Sequence, residues 1–269
     1  MPFKSLNLHF VRNIKLILEY DGSAFFGFQK QPRHPTIQQA LETALSKLFS
    51  QKTKIQAASG RTDSGVHAQC QVVNFKIKNR LAVEKIQRGL NALLPHAIAV
   101  KAAEEVELDF HARYGARTKV YEYRIWNSPV RSPLNAGRTC HIPYLLNFAR
   151  LQQGAALLKG RHDFRSFAAT DGAKDKPARK SDRKNTVRTI KRFQIKRHGP
   201  LIIFRVEADG FLYHMVRNLV GTLIEVGRGK LTLADLRRIL LGKDRSLAGP
   251  TAPASGLTLV DVTYSLKEG

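Results

Sequence analysis

Residues 60–68, GRTDSGVHA, bring Arg61, Asp63 and His67 together in a polar run between two apolar ones. Alone, Thr62-Asp63-Ser64-Gly65 is turn chemistry, because Asp and Ser bond to nearby backbone and Gly tolerates positive φ. With a guanidinium two residues before it and an imidazole four after, the carboxylate can also be paired, oriented and kept ionised. Such a carboxylate is a weak base but an able nucleophile at carbon. Both readings stand: the corner of a turn, or a group held for chemistry.

Two further stretches carry reactive types. In KVYEYRIW (119–126) strand alternation puts Tyr121, Tyr123 and Ile125 on one face, so Tyr121 points inward. It either fills the core with its hydroxyl satisfied or offers that hydroxyl to a site. In FLYHMVRNLVGTLIEVG (211–227) nearly every position is apolar except His214, Arg217, Asn218 and Glu225, which with Gly221 form one stripe at three- and four-residue steps. Arg217 thus sits in a helix suited to burial. A buried Arg needs an anionic partner, structural or catalytic.

The elements that must position these residues follow one rhythm twice. IKLILEYDG (14–22) reads as a strand and turn, and TIQQALETALSKLF as an amphipathic helix with Thr36 and Gln39 as a capping box. A short strand near 53–59, a strand at 69–78, a helix at 83–94 stopped by Pro95 and a strand at 97–106 complete β-α-β-β-α-β, the split ferredoxin-like unit. After a joint near 110–118, a strand at 119–126 and a helix at 148–160 open the second half. A hairpin over 186–209, a helix at 211–227, a short helix at 233–240 and a last strand at 256–264 follow. The expectation is an α+β chain of two ferredoxin-like halves, 1–112 and 113–269, with antiparallel sheets side by side and a cleft between them.

Charge narrows the function class. Forty-five Lys plus Arg against 21 Asp plus Glu give a formal +24, a field that attracts polyanions. The segment 171–185 has no apolar periodicity, and residues 174–192 carry nine basic side chains. It is expected to be a long loop, either solvated or closing on RNA phosphates through Arg179, Lys180, Arg183 and Lys184. Cys70 and Cys140 are too few for a disulfide framework or zinc cluster, and no HxxxH pair, Rossmann glycine pattern or phosphate-binding GxxxxGK[ST] loop is present. No apolar run is long enough to span a bilayer and no signal peptide is legible, so a soluble, cytoplasmic protein is expected, with no membrane partner.

With these residues in place, GRTDSGVHA resembles the signature of the TruA family of tRNA pseudouridine synthases. EYDGSAFFGFQKQP (19–32), TIQQALE, QVVNF, DFHARYGA, VYEYRI, DFRSFAA, RHGPLI, FLYHMVRNLVG and GLTLVDV extend the resemblance over nearly the whole chain. The resemblance implies an isomerase that converts uridine to pseudouridine at positions 38, 39 and 40 of the tRNA anticodon arm, as a homodimer and without a cofactor. It implies Asp63 as nucleophile, Arg61 and Tyr121 as residues of the flipped nucleotide, and Arg217 as the arginine paired with Asp63. His67 is a further substrate-binding candidate from its place in the motif. The chain departs from the commonest family forms at Ser64, Phe28 and Lys119-Val120, where two arginines often precede the tyrosine. Whether the aspartate attacks C1′ of the ribose or C6 of uracil stays open, as does a relative acting on other RNA uridines. A non-catalytic RNA-binding module on the same fold is the rival from another class, opposed by the joint presence of Asp63, Arg61, Tyr121 and Arg217.

Overall fold

The computed structural model describes residues 10–169 and 185–264. All of the basic segment 171–185 except Asn185 lies outside them. The first strand, β1 (Arg12–Tyr20), buries Ile14, Leu16, Leu18 and Tyr20 at alternate positions and pairs antiparallel with β3 (His67–Ile77) and β4 (Ile98–Val106). This is the period of two that the apolar run demands. Helix α1 (Ile37–Leu48) begins where the Thr36 side chain accepts from the Gln39 amide, and it packs on α2 (Val83–Leu93), which packs on β4.

The strand expected over 53–59 shrinks to β2 (Ala57–Ala58). Before it, the amides of Thr53 and Ile55 are taken by Ser46 Oγ and Glu42 Oε1 of α1, which removes them from any ladder. β2 pairs with Val73 and Asn74 of β3, and nearer its start β3 pairs in parallel with the last strand, β10 (Leu257–Tyr264), His67 with Thr258 and Ala68 with Leu259. Two sheets lying side by side were expected; the structure has one continuous ten-stranded sheet.

Beyond β10 the order runs through β5 (Ala116–Asn127), β9 (Leu201–Ala208), β8 (Val187–His198) and β7 (Gly160–Asp163), with β6 (Cys140–Ile142) parallel to the far end of β5. The sequence reading did not include β6 or β7, which are only three and four residues long, too short for an alternating pattern to stand out. Helix α3 (Phe148–Leu157) packs on α4 (Met215–Gly227) and on α5 (Leu233–Gly242). A reciprocal capping box forms at α5, between Thr232 and Asp235.

Helix α4 starts four residues later than the sequence pattern suggests. His214 has φ 57°, in the left-handed region, and the Met215 amide closes a turn onto Leu212 O, so residues 211–214 precede the helix instead of opening it. Apolar periodicity cannot register this, because Phe211 and Leu212 are spaced as helix residues would be. Within α4, Gly221 is required by contact: a Cβ there would lie 1.7 Å from Pro250 O. Gly221→Ala therefore has to push the 250–252 backbone off the helix, and it is expected to lower the melting temperature by roughly 4–8 °C in calorimetry.

Candidate active site

Asp63 lies in a loop gripped from two directions. From β1 and β3, the Tyr20 hydroxyl is 2.8 Å from Thr62 Oγ1, and Gln71 Nε2 donates to Gly60 O at 2.9 Å. Gln71 is itself fixed by Ser59 Oγ at 2.6 Å. From the segment between β1 and α1, Phe28 N donates to Thr62 O and Gly65 N to Phe25 O. The approach is so close that a Cβ on Gly27, whose φ is +84°, would be 2.8 Å from Thr62 O. The turn itself closes from Val66 N to Asp63 O with Gly65 at φ +77°, one residue later than the sequence reading.

The other half of the site comes from α4. Arg217 Nη1 donates to Asp63 Oδ2 at 3.2 Å, and its Nε donates to Ala252 O at 2.7 Å. The guanidinium is thus held on one edge by backbone and presents another to the carboxylate. His214, at the cap of the helix, puts Nε2 3.4 Å from the same Oδ2. All three side chains are mostly buried: Asp63 is 18% exposed, Arg217 15% and His214 21%. The carboxylate also faces the positive end of α4.

Tyr121 is buried on β5, with its ring edge-on to Phe211 of the turn before α4 at 5.1 Å. Burial pushes its phenol far above the usual range, and the nearby Tyr20 and Asp63 push the same way. Tyr20 is raised by burial to about 12, against the opposing effect of its bonds to Thr62 and Gln71. Both phenols are therefore neutral at ordinary pH. One site thus holds a paired carboxylate, a neutral phenol and an exposed cation, Arg61, two residues before the carboxylate.

The structure brings together Asp63, Arg217 and Tyr121 as the sequence suggests, and it sends His67 elsewhere. His67 is 2% exposed; Nδ1 lies 3.2 Å from the Gly22 amide and from Asp21 Oδ1, and Nε2 is 2.9 Å from Gly137 O. It lines a small surface pocket with Asp21, Arg124 and Arg138, a pocket that none of Asp63, Tyr121 and Arg217 borders. Both ring nitrogens are occupied in tying the start of β3 to the turn after β1, away from the Asp63–Arg217 pair. Sequence reasoning noted His214 only as one polar member of a stripe, and missed Tyr20, Phe211 and the Ala252 carbonyl. The helical spacing of His214 and Arg217 was the available signal.

The fold and site define a class first: an α/β protein presenting one paired carboxylate beside a buried tyrosine, on a strongly basic chain. The tRNA pseudouridine synthase family model matches residues 16–115 and 155–265, and the chain belongs to that family. It is 42% identical over 254 residues to the tRNA pseudouridine synthase A of Acetivibrio thermocellus, covering 94% of this chain and all of that one. The proteins of that name from Solibacter usitatus and Geobacillus kaustophilus are 44% and 42% identical over the same share of this chain, and 100% and 95% of their own lengths are covered.

Arg217→Met, which keeps the stem but removes both bonds, is expected to lower the unfolding free energy by roughly 2–3 kcal/mol. In an Asp63→Asn background the same change should cost measurably less, because the two residues share one interaction. Urea denaturation of the four proteins in the cycle checks this, and additive losses would refute the pairing.

Proposed function

We propose that this protein isomerises uridine to pseudouridine at positions 38, 39 and 40 of the tRNA anticodon arm, with Asp63 as the nucleophile. The observation that carries the reading is the Asp63–Arg217 pair at 3.2 Å beside the buried Tyr121. The reaction breaks the bond from uracil N1 to C1′, turns the base and joins C1′ to C5. The proton lost from C5 balances the one gained at N1, so no outside atom and no electron is needed.

A uridine stacked in a stem cannot reach Asp63, so it is extruded at a cost on the order of a few kcal/mol. Exposed Arg61 holds the flipped nucleotide. Asp63 attacks either C1′ or C6, and in both cases its carboxylate has to be aimed before the base arrives. Arg217 supplies that aim because its own position is set by Ala252 O. Preorganisation of this kind avoids reorganisation during the chemical step. The Tyr121 ring supports the base, and its phenol, kept neutral by burial, acts as a hydrogen-bond donor.

The architecture supports reading the chain as two ferredoxin-like halves, 1–112 and 113–269. The orders β4-β1-β3-β2 and β10-β5-β9-β8 are the same path taken twice. On this reading the active site lies where the halves join, and the protein works in the cytoplasm as a homodimer on tRNA.

Asp63→Asn is expected to abolish tritium release from tRNA labelled at uridine C5 while leaving the tRNA Kd within about threefold, since one carboxylate oxygen is exchanged for an amide of similar shape. Sustained tritium release by this variant would overturn the nucleophile assignment. Pseudouridine mapping of tRNA treated with the parent enzyme tests the three positions.

A further inference from the structure

Arg117, Lys119, Tyr121 and Tyr123 share one face of β5, and burial deepens along it from exposed Arg117 to fully buried Tyr123. Lys119 is therefore one pleat, about 7 Å, from the ring beside Asp63. Its ammonium lies against the loop that carries the carboxylate: a Cβ on Gly60 would be 3.4 Å from Lys119 Nζ. The cross-strand neighbours, Ala208 of β9 and Val262 of β10, are apolar.

Among the described residues Lys119 has no hydrogen-bond or ion-pair partner. The charges acting on it are Arg113, from the segment before β5, and Arg188 of β8, both positive. Arg188 reaches over the end of β9, its Nε 3.4 Å from where a Cβ of Gly210 would be, next to Phe211. Lys119 is thus half-buried and faces two further cations, Arg113 and Arg188, the latter held by Nη1 donating to Asn185 O and Val187 O. Such an arrangement is unfavourable in the free protein and becomes favourable when an anion enters. On a chain whose family acts on tRNA, the anion at hand is a phosphodiester.

We propose that Lys119, flanked by Arg188 and Arg113, forms a binding subsite for the backbone phosphate adjacent to the nucleotide held at Asp63 and Tyr121. The subsite rests on the reading of Asp63 and Tyr121 as the uridine site. The absence of a side chain at Gly60 lets the ammonium approach the loop backbone next to exposed Arg61, so the phosphate meets a compact charge beside that loop.

The subsite has a pH signature. Burial, with Arg113 and Arg188, brings the Lys119 ammonium down to about 8. A bound phosphate favours the protonated form, so affinity is full below that value and falls as pH rises through it. Tyr20 and Tyr121 stay neutral over this interval; the charged groups that face Lys119 are Arg113 and Arg188, and Asp63 shares the loop with Gly60.

The test uses full-length protein carrying Asp63→Asn, so that binding is read without turnover, and an anticodon-arm RNA hairpin followed by fluorescence anisotropy. Lys119→Met should weaken binding about tenfold, and it should lower the slope against log salt by about one phosphate. Hairpins with a neutral methylphosphonate at each phosphate flanking the target uridine locate the contact. At one position the loss should match that of Lys119→Met, and the two losses together should not add. Between pH 7.5 and 9 the Lys119 protein should lose affinity while Lys119→Arg, which keeps its charge, stays flat. Additive losses at every flanking position, or Lys119→Met binding as its parent does, overturn the proposal. Competition by millimolar inorganic phosphate without any methylphosphonate coupling also overturns it, since the site would then take a free anion. Turnover by Asp63→Asn in the parent enzyme would sink the nucleophile reading yet leave this coupling measurable, so the two failures are distinguishable.

Discussion

The bond between Asp63 and Arg217 joins residues 154 positions apart, and the rest of the site is arranged around making it at 3.2 Å. Neither group is free to search for the other. Asp63 is fixed because the Tyr20 hydroxyl and Gln71 hold one side of its loop and the Phe25–Phe28 backbone holds the other. Arg217 is fixed because Ala252 O takes its Nε. A buried ion pair stabilises weakly, since desolvation offsets most of the attraction, so its merit is geometric. It defines where one carboxylate oxygen is aimed, with His214 as a second cation on the same oxygen when protonated.

That geometry depends on backbone packing against backbone. Gly27 meets Thr62 O, Gly22 meets Val66 O and Gly221 meets Pro250 O, each at a distance no Cβ could accept. These contacts sit on both sides of the ion pair. Two of them clamp the aspartate loop to the segment after β1, and the third presses the 250–252 segment onto α4, where it meets Arg217. The left-handed backbone of His214 belongs to the same scheme, since it lets the chain turn from β9 into α4 while placing a ring over the carboxylate. A residue in that region costs of order 1–3 kcal/mol, which the surrounding packing must offset.

Much of this was legible in the sequence, and for identifiable reasons. The β1 run, the α1 cap at Thr36 and the burial of Tyr121 follow from local periods of 2 and 3.6. The need of Arg217 for an anion follows from the apolar helix around it. What the sequence hid depends on partners far along the chain. The 53–59 strand is cut short by side chains of α1, so its local β pattern is misleading. The start of α4 is displaced by a single residue's backbone conformation, which spacing does not record. His67 looks like a companion of Asp63 four residues away, but along β3 the side chain is directed to Asp21 and Gly137. His214 is close to Asp63 although seven strands, β3 to β9, separate them in sequence, because β10 joins β3 to β5 in the sheet.

The parallel contact between β3 and β10 therefore governs when the site can exist. It is short, His67 with Thr258 and Ala68 with Leu259, yet it joins the strand that follows the aspartate loop to the last strand of the chain. Closing so long a loop costs entropy that only later contacts repay, so such pairings form after the local helices and hairpins. The elements on either side of it, β1 to β4 with α1 and α2, and β5 to β9 with α3 to α5, pack mainly among themselves. Asp63 and Arg217 lie on opposite sides of that contact, so closing it is what brings the carboxylate and the guanidinium together. A charge buried without its partner costs several kcal/mol, and in the closed sheet neither is.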